Sequence, residues 1–281
     1  MKKVLLPLII LFCVFFIAAQ SVLPLWKIDS DMVFVEGGTF KMGSNDKDSD
    51  VDEMPHKVTL SDFYISKYEV TQELYRAVMN TNPSYFRAKT APGDAQGRRP
   101  VESISWVNAI EFCNELSRLN GLKKCYTLSN FGWRCDFKAN GFRLPTEAEW
   151  EFAARGGNKS KNYKYSGSDK LSAVGWYGIN SGYKTHEVGK KQPNELGLYD
   201  MSGNVYEWCW DYYGDYDFRD KENPYGIKKA TYRVTRGGSW GSGGIYEPYC
   251  RVSGRRFGDP MGVGDDVGFR VVRTAEKKTD E

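Results

Sequence analysis

The side chains able to carry chemistry in this chain are few and widely spaced. Five cysteines follow residue 20, at Cys113, Cys125, Cys135, Cys209 and Cys250, and none stands in a CxxC pair, so a thiolate zinc site is not expected. Five is an odd number, which leaves at least one thiol unpaired or paired between chains, and the set is too sparse for a disulfide scaffold. Histidine occurs only at His56 and His186, and His186, in KTHEVG, reads as a lone loop residue. RLPTEAEWEFAAR (143–155) strings together Arg143, Glu147, Glu151 and Arg155, a set that suits either acid–base catalysis or a structural network knitting a helix to loops; the structural role is expected. The acidic stretch NDKDSDVDEM (45–54) offers carboxylates to a cation, but DxDxDG spacing is absent and a solvated loop is expected. No Ser/His/Asp order with a nucleophile elbow, no phosphate loop and no dinucleotide fingerprint occurs.

The chain that must position these groups has 281 residues, 41% of them hydrophobic and 15% aromatic, enough for a substantial core and too many for disorder. A net charge of +3, without any block of five or six like charges, excludes nucleic acid as an expected partner. Lys2 and Lys3 precede the apolar run VLLPLIILFCVFFIAA, which reads as an export signal over residues 1–20 with cleavage near Ala19. The run is barely long enough to span a bilayer, so an uncleaved anchor is the less expected outcome. Membrane contact is expected only through a lipid on Cys13; a lipoprotein signal wants a small residue before that cysteine, and Phe12 stands there. The alternative is a leader cysteine that is discarded. Either way the chain is expected to be exported, to the outer cell surface.

Past a short linker (21–31), MVFVEGGTFKMGS (32–44) reads as a hairpin turning at Gly37–Gly38. HKVTLSDFYISKYEV alternates like a strand with a turn at Ser61–Asp62, and Thr71 caps a first helix. Ser105 caps a second, whose apolar positions recur at three and four until Gly121 stops it. CYTLSNFGWRCDF reads as a hairpin around Asn130–Gly132 across which Cys125 and Cys135 could form a disulfide. In RLPTEAEWEFAAR, Pro145 and Thr146 compete for the helix start, Thr146 and Glu149 have capping-box spacing, and Trp150, Ala153 and Ala154 line the buried face. From residue 156 onward long helices disappear. With no linker and no internal repeat, residues 32–275 read as a single α+β domain with two main helices and short antiparallel strands.

The motifs VEGGTFKMGS (35–44), FYISKYEVTQELY (63–75), PVESISWVNAIEFCNELS (100–117), GFRLPTEAEWEFAARGG (141–157), PNELGLYDMSGNVYEWCWD (193–211), RVTRGGSW (233–240) and VGFRVVR (267–273) follow in one order. Their sequence resembles the formylglycine-generating-enzyme-like (sulfatase-modifying factor) family, over about residues 32–273. The resemblance implies a strongly modified C-type lectin fold. It also implies that Asn204 and Glu207 of GNVYEW could hold a structural calcium, whose hard-cation chemistry their oxygens suit. The alternative for that pair is a turn bonded to backbone amides. Some members of the family oxidise a cysteine in sulfatases with two cysteines a few residues apart between the RGGS turn and the GFR strand. Here only Cys250 lies in that segment. Other relatives are iron-dependent and use histidine ligands; two histidines cannot build a three-histidine site. No catalysis and no required cofactor are therefore expected, the alternative being an oxidase or other enzyme of the same family.

A third set of relatives, the variable proteins of diversity-generating retroelements, gives the C-terminal tract a meaning. In them residues between RGGSW and GFRVV vary through mutated asparagine codons, which cannot become Lys, Gln, Glu, Met or Trp. From Gly241 to Gly268 there are eight glycines in 28 residues; Lys, Gln and Trp are absent, and only Glu247 and Met261 fall outside the reachable set. The resemblance implies a ligand-binding region at about 236–273, diversified over about 241–266. Its expected partner is an unidentified protein or glycan on another cell or host surface. Loops anchored by a rigid scaffold tolerate replacement, and Tyr, Gly and Ser suit adaptable recognition. The candidate contacts are Gly241, Ser242, Gly243, Ile245, Tyr246, Tyr249, Gly254, Arg256, Phe257, Asp259, Gly262, Val263, Asp265 and Asp266, with Trp240 as a fixed floor. Arg251, Arg255 and Arg270 are expected to anchor the tract through carbonyls or carboxylates.

Overall fold

The computed structural model describes residues 30–88 and 95–275; the expected export signal and nearly all of the expected linker lie outside them. Among the described residues no helix is long and apolar enough to cross a membrane. Helices are few and begin at side-chain caps. Thr71 accepts from the Leu74 amide to open α1 (Gln72–Met79). A reciprocal Ser105–Asn108 capping box opens α2 (Trp106–Leu119). Thr146, rather than Pro145, is the N-cap of α3 (Glu147–Ala154), again with a complete capping box through Glu149. A fourth, α4 (Leu171–Val174), is a single turn.

Two four-stranded sheets organise the rest. The first takes β1 (Met32–Val35), β4 (Phe63–Ser66), β12 (Val272–Thr274) and β7 (Phe142–Arg143) in that order, all antiparallel. The second has the order β10 (Arg255–Gly258), β9 (Arg233–Arg236), β8 (Tyr206–Tyr212), β11 (Val267–Gly268), with β11 parallel to β8. Two-stranded ribbons complete the set: β2 (Gly38–Met42) with β3 (His56–Leu60), and β5 (Tyr126–Ser129) with β6 (Gly132–Cys135).

The expected hairpin at 32–44 does not form. β1 and β2 run into different sheets, and a Cβ at Gly37 would lie 2.4 Å from the Leu60 carbonyl oxygen. That glycine permits a close backbone approach rather than a tight turn. The β5–β6 hairpin forms as expected, but its cysteines remain free thiols, because Tyr126 rather than Cys125 is the register partner of Cys135.

The core falls into two large clusters. One gathers α2, the β5–β6 base and Trp208, Trp210 and Phe269; the other gathers α3, β3, β4 and Val234. β8 lies between them, with Trp208 and Trp210 in the first and Cys209 in the second, so the central strand of the second sheet is held from both sides.

Candidate ligand-binding face

The C-terminal tract leaves β9 through Gly237 and Gly238, whose φ angles of 93° and 72° suit glycine. A Cβ on Gly238 would also lie 2.3 Å from the Cys250 sulfur. Trp240 is then fixed on four sides. Its amide donates to the Asn204 carbonyl (2.8 Å), its indole N–H donates to the Asp265 carbonyl (3.0 Å), its own carbonyl accepts from Ser181 Oγ (2.7 Å), and Phe86 meets it edge-on.

From Arg236 to Arg270 the chain alternates buried anchors with outward positions. Arg251 forks onto Glu53 at 2.9 and 2.6 Å. Arg255 grips Glu147 at 2.7 and 3.0 Å, and Arg270 grips Glu207 at 2.6 and 2.7 Å. Arg236, at the end of β9, donates to Glu151 and to the Gly254 carbonyl. All four guanidiniums are buried, so the expected anchoring by arginine is realised through carboxylates on the acidic loop, α3 and β8. The partners in RLPTEAEWEFAAR are Arg143–Glu149, Glu151–Arg155 and Glu147–Arg255, a structural network. The acidic loop is not wholly solvated: Glu53 is buried, and Asp52 accepts from the Tyr213 hydroxyl at 2.7 Å.

The outward positions form one face with two parts. The turn Gly244–Cys250 presents Ile245 (82% exposed), Tyr246 and Tyr249. Tyr249 meets Tyr206 of β8 at 6.4 Å between rings, and Arg256 lies over Tyr206 at 4.6 Å and reaches Asp266 at 3.6 Å. This chain of contacts leads into the second part, a groove of about 190 Å³ between β10 and the loop before β11. Trp208 and Thr235 floor it, and Arg256, Phe257, Asp259, Gly262, Val263 and Asp266 line it together with Gly258. Burial raises the Asp266 carboxyl pKa, against the pull of Arg256. Phe257 leans on Tyr213 and Tyr232 at the rim.

Two expected contacts are interior. Ser242 is buried, with its hydroxyl accepting from the Ser239 amide and bonded to the Tyr206 hydroxyl. Gly254 is buried against the Pro248–Tyr249 backbone, where a Cβ would meet the Pro248 oxygen at 2.5 Å. Gly241 and Gly243 lie on the turn side, and Asp265 contributes its carbonyl to Trp240. Of the two residues outside the codon-reachable set, Glu247 accepts from the Tyr165 hydroxyl at 3.2 Å, whereas Met261 is exposed and nothing in the structure explains it.

Sequence reasoning missed the buried support beneath the face, where Tyr206 and Trp208 are each 2% exposed. Tyr206 and Trp208 belong to GNVYEW, whose strand alternation could have revealed them. Ile179 and Tyr183 are exposed on a loop whose Gly178 amide donates to the Ser242 carbonyl (2.7 Å).

Asn204 and Glu207 do not fit a calcium site in this arrangement. Glu207 accepts from Trp150 Nε1 at 2.7 Å as well as from Arg270, whose positive charge opposes a cation. Asn204 donates to Glu69 at 2.6 Å and accepts from the His186 amide at 2.9 Å. His186 itself stacks on Trp176 at 3.8 Å, and burial lowers its pKa. Cys250 is fully buried, and burial pushes its thiol pKa up to about 12, far from the thiolate a redox nucleophile needs.

Comparison with known proteins agrees with this architecture. The family profile of the sulfatase-modifying factor enzyme 1-like domain matches residues 26–275. The solved structure of Treponema denticola variable protein 1 is similar with a TM-score of 0.80 and 40% identity, over 87% of this chain and 95% of that one. The chaperone protein LppX of Paenibacillus barcinonensis is 40% identical over 279 residues, 88% of this chain and 90% of the relative. Serine/threonine-protein kinase pkn1 of Chlamydia pneumoniae is 31% identical over 87% of this chain, which spans only 38% of that relative's length.

Proposed function

We propose that this chain, which belongs to the sulfatase-modifying factor enzyme 1-like family, is an exported, non-catalytic binding protein that displays exchangeable residues of the 241–266 tract on a fixed lectin-like scaffold. The observation that carries this reading is the separation of anchor from face within one short segment. Arg251 and Arg255 are locked into carboxylates, while Ile245, Tyr246, Phe257 and Val263 stand in solvent and contribute little to the core. A groove of about 190 Å³ flanked by tyrosines suits adaptable recognition of a protein or glycan on another cell or host surface. The likeness to a variable protein of Treponema denticola supports diversification by a retroelement. An oxidase of the same family is the competing reading. It needs an accessible thiolate pair, and the buried Cys250, alone in its segment, argues against it.

The test is to sequence the gene and any near-copy of its 3′ end in several isolates. Substitutions confined to outward positions of 241–266, where the copy carries asparagine codons, are expected. Substitutions spread evenly along the gene would refute diversification and return attention to an enzyme or a single dedicated partner.

A further inference from the structure

From the β5–β6 ribbon we infer a second docking element, one that inserts its tip into an anionic lipid surface. The Tyr126↔Cys135 register pair packs on the core, and the next pair on the same face, Leu128↔Trp133, continues that apolar stripe beyond it. Trp133 is half-buried, Leu128 is 63% exposed, and Phe131 at the turn is 89% exposed. Leu128 and Phe131 lie outside the core cluster, and two large exposed apolar side chains at one ribbon tip suit a contact surface.

Charge identifies what it contacts. Residues 115–138 carry five cations (Arg118, Lys123, Lys124, Arg134 and Lys138) against two carboxylates, Glu115 and Asp136. The difference of +3 equals the net charge of the whole chain, so the remaining residues sum to zero. Arg118 pairs with Glu115 and Lys123 with Asp136. Lys124, Arg134 and Lys138 are left without a carboxylate bridge among the described residues, and Arg134 sits 5.9 Å from the centre of the Phe131 ring. Two strand residues beyond the Leu128–Trp133 pair span about 7 Å, which matches the depth of about 5–10 Å at which interfacial apolar faces rest. Immersed to that level, the ribbon holds Trp133 at the headgroups, where tryptophan is favoured, and Arg134 beside the phosphates, while Lys124 and Lys138 stand at the ribbon's base, about 13 Å farther out, and add longer-range attraction. Nucleic acid offers the cations a partner but gives Phe131 and Leu128 nothing to enter.

The experiment is co-sedimentation of the full chain with vesicles of phosphatidylcholine alone or with about 30 mol% phosphatidylglycerol. The leader, itself cationic at Lys2 and Lys3, is the same in every variant, so each variant is read against the parent at the same lipid composition. The parent chain is expected to prefer anionic vesicles by roughly tenfold or more, the preference collapsing in about 0.5 M salt. K124E/K138E should lower the preference several-fold relative to the parent, and L128S/F131S should weaken binding to anionic vesicles by roughly tenfold. V51S, at another exposed apolar position, should behave as the parent, and matched melting temperatures show that the ribbon variants are folded. Equal partition of the parent into both lipids overturns the inference, as does a preference undiminished in K124E/K138E or binding indifferent to L128S/F131S. A ribbon variant that changes self-association while the parent shows no lipid preference would make the ribbon a contact between copies instead.

Discussion

Replacing Arg251 by alanine should cost far more than replacing residues a few positions away. Arg251 is 1% exposed and Glu53 is not exposed at all; the guanidinium forks onto the carboxylate at 2.9 and 2.6 Å and also reaches Ser253 at 3.2 Å. In R251A the carboxylate stays in the interior, with only the Asp50 amide (3.1 Å) as its remaining donor. Breaking a buried pair by removing one partner costs about 3–5 kcal/mol. In a domain of this size each kcal/mol moves the midpoint by about 2–4 °C, so R251A should melt roughly 6–20 °C below the parent. The triple substitution I245S/Y246S/V263S removes more carbon but lies in solvent, where each change is worth within about 0.5 kcal/mol, so its midpoint should fall by no more than a few degrees. Scanning calorimetry at pH 7 separates the two. The double variant E53Q/R251M should recover part of the R251A loss, because an apolar or neutral pair leaves no uncompensated charge. If R251A melts within about 2 °C of the parent, or the triple variant falls as far as R251A, anchor and face are not separate and the binding proposal loses its physical basis.

Two further predictions rest on single atoms. Gly254→Ala should destabilise by about 1–3 kcal/mol, because its Cβ meets the Pro248 oxygen and Tyr249 Cα at 2.5 and 2.9 Å, whereas Gly241→Ala, with nothing nearer than 3.9 Å, should be neutral in a urea titration. Asp200 is buried, and burial raises its carboxyl pKa to about 6. The folded state therefore keeps this proton to a higher pH than the unfolded chain does. Its contribution to stability falls as pH rises from about 4 to about 6 and is level above that. Asp200→Asn, which suits the local φ of 59°, removes that cost. The variant should exceed the parent by up to about 3 kcal/mol at pH 7 and should lose less stability between pH 4 and 6 in urea melts; equal slopes would refute the assignment.

What was legible in the sequence is what is local. The caps at Thr71, Ser105 and Thr146 can each be read within four residues, and each is where the residue types put it. The motif order carried the family, and with it the lectin-type architecture. What failed was non-local. The Gly37–Gly38 pair reads as a turn, but neither residue has a positive φ; β1 pairs with residues 28–34 positions downstream and β2 with residues 14–22 positions downstream. Helical spacing revealed Glu151–Arg155, yet no spacing could show that Glu147 waits for Arg255, 108 residues downstream. Composition marks the tract as a surface but does not sort it: Ser242 and Gly254, two of the expected contacts, both lie inside. The motif GNVYEW draws attention to its oxygens, while the strand it forms places Tyr206 and Trp208 beneath the face as buried support.

The same sorting sharpens the genetic proposal. RVSGR (251–255) is an unbroken buried run in the middle of the tract, flanked by the exposed turn Gly244–Tyr246 before it and the groove residues after it. Arg251 and Arg255 each hold a buried carboxylate, and Gly254 admits no side chain. A mechanism that randomised these codons would spend most of its output on chains that do not fold, since each such loss is a large fraction of a total stability of about 5–15 kcal/mol. Diversification compatible with this fold must therefore be interrupted: variable at Ile245, Tyr246, Phe257, Asp259 and Val263, and silent across 251–255. A near-copy of the gene whose asparagine codons cluster on either side of that run and skip it would match the burial pattern residue by residue, whereas asparagine codons within the run would mean that the arginine anchors are dispensable and that the frame lies elsewhere.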